Sequence, residues 1–245
     1  MKKTLFTGLV IVALAGAAHA TLYTYDFSTG LANGGVIPDG NTAGWSDTRT
    51  ANLAADFGPL PSGTTTEITD VNVHLSISGG YDGDLYGYLV HSSGFAVLLN
   101  RAGRTSGDSY GYGDVGFNLT LDDTGTYGDI HTYQNVSGFG TKIVNGSSWQ
   151  PDARNVDPAT VTDLSSRSAY LSSFNTASAN GTWTLFLADL SSGETSTLVS
   201  WGLDISVVPE PTTWALIAFG VGFVAVLVFR EMRQRARVIL PAKYF

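Results

Sequence analysis

The chain has 245 residues, no cysteine and a formal net charge of −8, so its fold holds without disulfides. The acidity is concentrated in residues 21–208, where six Lys or Arg stand against nineteen Asp or Glu, a balance of −13. Such a surface lacks the cations that replace counterions on nucleic acid, which argues against that partner, and it suits cations, neutral glycans or basic protein surfaces.

At the start, Lys2 and Lys3 precede an apolar run from Leu5 to Ala15, and Ala18-His19-Ala20 follows. A basic flank, a short apolar core and small residues two apart predict a secretory signal over residues 1–20. Signal peptidase would read Ala18 and Ala20 and cut after Ala20. The core is too short to be a first membrane span. Residues 21–208 then form the exported body, long enough for one domain with a substantial core.

The body reads as strands. Glycine-rich "LANGGVIPDGNTAG" is a loop. In "DVNVHLSIS", Val71, Val73, Leu75 and Ile77 share one face, with Asn72, His74 and Ser76 on the other. "YGYLVHSSGFAVLL" predicts a hairpin turning at Ser92-Ser93-Gly94. "VGFNLTL" places Val115, Phe117, Leu119 and Leu121 together. "TWTLFLADL" does the same for Trp183, Leu185 and Leu187, with Phe186 opposite. "LVSWGLDISV" aligns Val199, Trp201, Leu203, Ile205 and Val207. Residues 159–174 offer one short helix, with Leu164, Leu171 and Phe174 on its apolar side. Many short alternating segments between turns predict an all-β, antiparallel β-sandwich.

Candidate chemistry is sparse. Beyond the signal only His74, His91 and His131 remain; none has zinc-ligand spacing, and no G-x-S-x-G elbow exists. No catalytic residue is assigned. Asp82-Gly83-Asp84 places two carboxylates in a loop where they can turn toward one hard cation. Asp122, Asp123 and Asp129 can add oxygens to a calcium site. Tyr110 and Tyr112, in the loop "GDSYGYGDVG", are a candidate binding surface for sugar or protein. Arg101 to Arg104, "RAGR", matches a dibasic processing site no better than chance.

The tail is different. Trp214 to Phe229 is sixteen residues without a charge, and with Pro211 to Thr213 nineteen. At ~1.5 Å per residue it reaches roughly 24–29 Å, just short of a bilayer core. A helix over about 212–229 is predicted to span the membrane. Arg230, Arg233, Arg235 and Arg237 place residues 230–245 in the cytoplasm, and the body outside.

Two resemblances sharpen this. Val208-Pro209-Glu210-Pro211, a hydrophobic helix and an arginine cluster, over residues 209–237, resemble the PEP-CTERM sorting signal of Gram-negative bacteria. That resemblance implies export across the inner membrane and transient anchoring. It also implies an exosortase as partner, recognising Pro209, Glu210 and Pro211 with Arg230, Arg233 and Arg235 behind the span. Residues 68–103 and 173–207 look like the P domain, or P/Homo B domain, of proprotein convertases and bacterial subtilases. The matching blocks are Gly83-Asp84-Leu85, Gly181-Thr182-Trp183-Thr184-Leu185, Ala188-Asp189 and Leu198-Val199-Ser200-Trp201-Gly202-Leu203. "VIPDG" at residues 36–40 resembles the domain's opening, so the match runs over 36–207.

That second likeness implies a jelly-roll sandwich, and calcium in some bacterial members. In the family a subtilisin-like domain precedes the P domain and holds the endopeptidase activity; no such residues are present here to carry over. The expectation is a non-catalytic cell-surface or secreted module binding extracellular polysaccharide or protein. The alternatives are an accessory domain serving a subtilase in trans, or a glycan-binding jelly roll.

Overall fold

The computed structural model describes residues 20–61, 63–92, 94–137, 142–209 and 211–238. Residues 1–19 of the predicted signal, including Ala18, lie outside the described residues, as do Glu210 and residues 239–245. Among the described residues the first strands are β1 (Thr21–Phe27), β2 (Trp45–Ala51), β3 (Thr64–Gly79), β4 (Leu85–His91) and β5 (Gly94–Asn100). They are followed by β6 (Phe117–Leu121), β7 (Ser147–Trp149), β8 (Gly181–Asp189) and β9 (Ser196–Pro209). One sheet runs β1-β9-β3-β6-β7 and the other β2-β8-β4-β5. Every pairing is antiparallel except β6 with β7.

The inner faces of the two sheets make one core. Val71, Val73, Leu75 and Ile77 of β3 and Trp201, Leu203 and Ile205 of β9 are buried in the same cluster as Leu85 and Leu89 of β4 and Trp183, Leu185 and Leu187 of β8. This is the β-sandwich that period-two alternation predicts. The hairpin closes as expected, with His91 opposite Gly94. At roughly 1.5–3 kcal/mol for each large apolar side chain taken out of water, these inner rows supply most of the drive for stacking the sheets.

Three local expectations are corrected. Val199 is 49% exposed, whereas Leu198 is 1% exposed. The register between β3 and β9 slips there, with Ser76 opposite Ser200 but Ile77 opposite Leu198. One extra residue in β9 turns Val199 outward and its neighbour inward. Val115 also faces solvent, because β6 begins only at Phe117. Residues 159–174 form no α-helix: only a 3-10 turn at Leu171–Phe174 is present, and Leu164 is 87% exposed. The segment is pinned instead by side chains, with Asp123 accepting the Leu171 and Ser172 amides.

A short helix α1 (Leu53–Phe57) follows β2, capped by the Asn52 side chain on the Ala55 amide. A second, α2 (Pro211–Val238), begins two residues after β9 ends. Its side chains are described at 218 and 220–233. Phe223, Val224, Val226, Leu227 and Phe229 are all exposed, so this described part of the helix packs no apolar stripe onto the sandwich. Among the described residues no helix is long and apolar enough to cross a membrane. The predicted span at about 212–229 starts within the residues of α2 whose side chains are not described.

Candidate functional site

The predicted calcium ligands divide among several networks. Asp82 and Asp84 share a 3-10 turn, Asp82–Asp84, between β3 and β4. The loop after β5 docks on it: the Gly83 amide donates to the Tyr112 carbonyl and the Asp82 amide to the Asp114 carbonyl. Only glycine fits at 83, because a Cβ there would lie 2.6 Å from the Tyr110 carbonyl oxygen and the Tyr112 nitrogen. Asp84 accepts from Arg101 Nη2 at 3.4 Å. Asp122 instead takes the Thr124 amide and hydroxyl in a turn. Asp123 caps the turn at Leu171, and Asp129 pairs with Arg154 at 2.7 Å. Among the described residues no group of three or more His, Asp or Glu side chains is arranged to hold a metal ion.

Asp82 has a particular electrostatic state. Its Oδ2 lies 3.1 Å from the Tyr133 hydroxyl, which stands 2.6 Å from Asp114 Oδ2. A single hydroxyl proton cannot serve two ionised carboxylates, so one acid holds a proton of its own. Burial pushes Asp82 up to about 7, so near neutral pH it is partly protonated. Asp189, wholly buried on β8 and accepting from the Ser196 hydroxyl, is pushed up by burial to about 6. Tyr112 stacks edge-on against Tyr133 at 4.7 Å, so it belongs to this packing. Tyr110, its predicted companion, is 75% exposed.

The histidines do three different things. His131 is fully buried, with Nδ1 2.7 Å from Asp152 Oδ2 and Nε2 2.9 Å from the Arg104 carbonyl oxygen. Both neighbours accept, so both ring nitrogens donate and the ring is an imidazolium. Burial opposes that charge, but the hydrogen bond and charge of Asp152 outweigh it and hold the pKa up. A ring with no free lone pair cannot act as a base. His91 stacks on Trp183 at 4.3 Å in the core, and burial lowers its pKa.

His74 is the accessible one. On the outer face of the five-stranded sheet, the Thr24 hydroxyl donates to Asp204 Oδ1 at 2.6 Å. His74 Nε2 donates to Asp204 Oδ2 at 2.8 Å, and Thr120 Oγ1 lies 3.0 Å from His74 Nδ1. The line crosses β1, β9, β3 and β6. Beside it a groove of about 130 Å³ opens over Gly202, bounded by Thr24, Asp26, His74 and Ser200. A Cβ at 202 would come 2.5 Å from the Tyr25 carbonyl oxygen, so strand pairing itself demands glycine there. Hydroxyl, imidazole and carboxylate stand in nucleophile order. However, β6 is paired on both sides, with β3 and β7, so the backbone amides around Thr120 serve ladders and none is aimed at a developing oxyanion. The site can bind hydrogen-bonding groups, and among the described residues the β6 amides beside Thr120 are committed to strand pairing. Only topology joins residues 24, 74, 120 and 204, so no spacing in the sequence signals them.

A PEP-CTERM protein-sorting motif matches residues 207–234. A motif of this kind marks a protein for exosortase-dependent export and sorting to the cell surface in Gram-negative bacteria. No curated protein matches the chain. Among solved structures, the chain is similar to a serine protease (ASP) of Aeromonas sobria in complex with the chaperone ORF2. The identity is 13% and the TM-score 0.40, over 78% of this chain and 28% of that one. The serine protease of Aeromonas sobria alone gives 13% and 0.39, over 77% and 27%. This chain thus spans less than a third of the length of those proteins, and a likeness so distant carries nothing about activity.

Proposed function

We propose that the chain is an exported, non-catalytic β-sandwich module of the P/Homo B type that α2 holds at the membrane. An exosortase then cuts at Pro209-Glu210-Pro211 and releases it to act by binding in the extracellular matrix. The observation that carries this reading is the sorting motif at residues 207–234, which lies across the junction of β9 and α2. The exposed apolar surface of α2, followed by exposed Arg230 and Arg233, supports a helix whose partner is lipid. With β7 set aside, the sheets run first-eighth-third-sixth and second-seventh-fourth-fifth. That order of two Greek keys supports the jelly-roll reading. The non-catalytic reading is supported by His131, which has no lone pair to offer, and by the β6 amides beside Thr120, which are committed to strand pairing.

The test is cell fractionation in a Gram-negative host with and without an exosortase. The wild-type chain is expected to lose α2 and leave the membrane only when the exosortase is present. Pro209→Ala with Pro211→Ala is expected to leave a longer, membrane-bound form. An identical processed product from that variant, or intact protein in the cytosol, removes the sorting reading. Casein hydrolysis by the purified protein that a serine-protease inhibitor abolishes would remove the non-catalytic one.

A further inference from the structure

The two outer faces of the sandwich differ in kind. On the five-stranded sheet the outward positions include Asp26, Asp70, Asn72, His74 and Asp204. On the four-stranded sheet the outward positions of β2 and β8 are Ser46, Thr48, Thr50, Thr182, Thr184 and Phe186. β4 and β5 add Tyr86, Tyr88, Val90 and Phe95. Among the described residues those outward positions carry no carboxylate, ammonium, guanidinium or imidazole, in a body whose balance is −13.

Its rings form one continuous group. Tyr88 stacks on Phe186 at 4.7 Å and 14°, meets Phe95 at 5.3 Å and Tyr86 at 5.9 Å. Alongside lies a row of hydroxyls, with Thr48 Oγ1 3.0 Å from Thr184 Oγ1. All four rings are partly exposed. We infer that this face binds a neutral glycan chain, with the rings meeting the apolar C–H faces of the sugars and the threonines their hydroxyls.

The charge distribution selects that occupant. A polyanion is repelled by the acidic body, and a basic partner finds no carboxylate to pair with on this face. A second copy brings another −13 against the first. A neutral polymer carrying both C–H faces and hydroxyls matches a surface of rings and hydroxyls without either cost. The inference rests on the reading of the chain as an exported binding module and gives that reading a surface and a ligand class.

The full chain, purified in a zwitterionic detergent that contains no sugar, is run in native gels containing barley β-glucan, galactomannan or, as the anionic arm, alginate. Retardation by at least one neutral polymer and not by alginate is expected. Tyr88→Ala with Phe186→Ala is expected to weaken binding at least tenfold, whereas Asp70→Asn on the opposite face leaves it unchanged. Because losing two rings can unfold the sheet, Thr48→Glu with Thr182→Glu provides a second variant. Both positions are exposed, and charge placed there is expected to abolish retardation at an unchanged melting temperature. Retardation by neither neutral polymer overturns the inference, as does undiminished binding by the folded Glu variant. A dimer on size exclusion that either double variant dissociates also overturns it, since the occupant is then a second copy. Sorting is read independently by fractionation, so correct export with no glycan binding defeats only this inference.

Discussion

Asp82 and His131 are both buried, and in both the fold raises the pKa above its ordinary value. Asp82 is raised to about 7 by burial beside Tyr133 and Asp114. Its contribution is fully present below the unfolded carboxylate value and is lost as pH rises through about 7. His131 is raised above the usual imidazole range by Asp152 against the opposing effect of burial. Its contribution is present below ~6.5 and is lost above its folded value. His91, lowered by burial, acts the other way, but only below the ordinary histidine value. As pH rises above ~6.5 the melting temperature should therefore fall. Asp82→Asn keeps a neutral group that can donate to the Tyr133 oxygen and removes the charge that burial penalises. It should raise stability at pH 8 by at most about 4 kcal/mol, from roughly three pK units at ~1.4 kcal/mol each, and by roughly a third of that at pH 5, where the unfolded carboxylate is already ionised. His131→Phe should cost on the order of 3 kcal/mol, because Asp152 loses a buried cation. Thermal unfolding of the three proteins at pH 5 and pH 8 checks both; a wild-type curve that rises across this range contradicts the protonation states assigned here. These groups were only half legible. Asp82 stands out in the sequence as an acidic turn residue, but the burial that raises its pKa is supplied by chain from elsewhere, with Tyr133 fifty-one positions away. Likewise the Thr24–Asp204–His74–Thr120 line exists only because β9 lies between β1 and β3.

At the level of elements, alternation failed where a buried polar group or a bulge broke it. β3, β6, β8 and the β4–β5 hairpin are readable because their inward positions are apolar. β2 is not: Asp47 occupies an inward position, accepting from Trp201 Nε1 at 2.7 Å and paired with Arg49 at 2.7 Å. A carboxylate at a core position disguises a strand as a loop, since its partner comes from the opposite sheet. β9 is disguised in a smaller way. A strict period of two buries Val199, but the bulge opposite Ile77 buries Leu198 instead. The two registers make opposite forecasts. Leu198→Ala should destabilise by about 2–5 kcal/mol, the range for a large-to-small change in a closed core. Val199→Thr should stay within ~0.5 kcal/mol, as surface changes do. Urea unfolding of both variants decides between them, and the reverse ranking would place β9 in the uninterrupted register.

Across the whole molecule, the sorting label is attached to the sandwich but is not part of its interior. No described side chain of α2 joins the core, whereas β9 contributes Leu198, Trp201, Leu203, Ile205 and Val207. β9 also runs between two partners: Val207 is opposite Thr21 on one side and Ile68 on the other. The boundary between label and body is therefore sharp. A chain ended after Glu210 loses residues 211–245 and none of those pairings. It should melt within ~3 °C of the full chain, about the shift expected from 1 kcal/mol in a domain of this size. A chain ended after Leu203, only seven residues shorter, removes Ile205 and Val207 and leaves the paired edges of β1 and β3 without a partner over their last rungs. Two buried branched side chains, at about 2–5 kcal/mol each, together with the lost pairing on both flanks, are comparable with the roughly 5–15 kcal/mol by which domains are commonly stable. That shorter chain should show no cooperative transition in calorimetry. If it melts like the longer one, β9 is not a central strand; if the chain ended after Glu210 is itself unfolded, α2 is part of the fold, and the proposed cleavage at Pro209-Glu210-Pro211 is wrong.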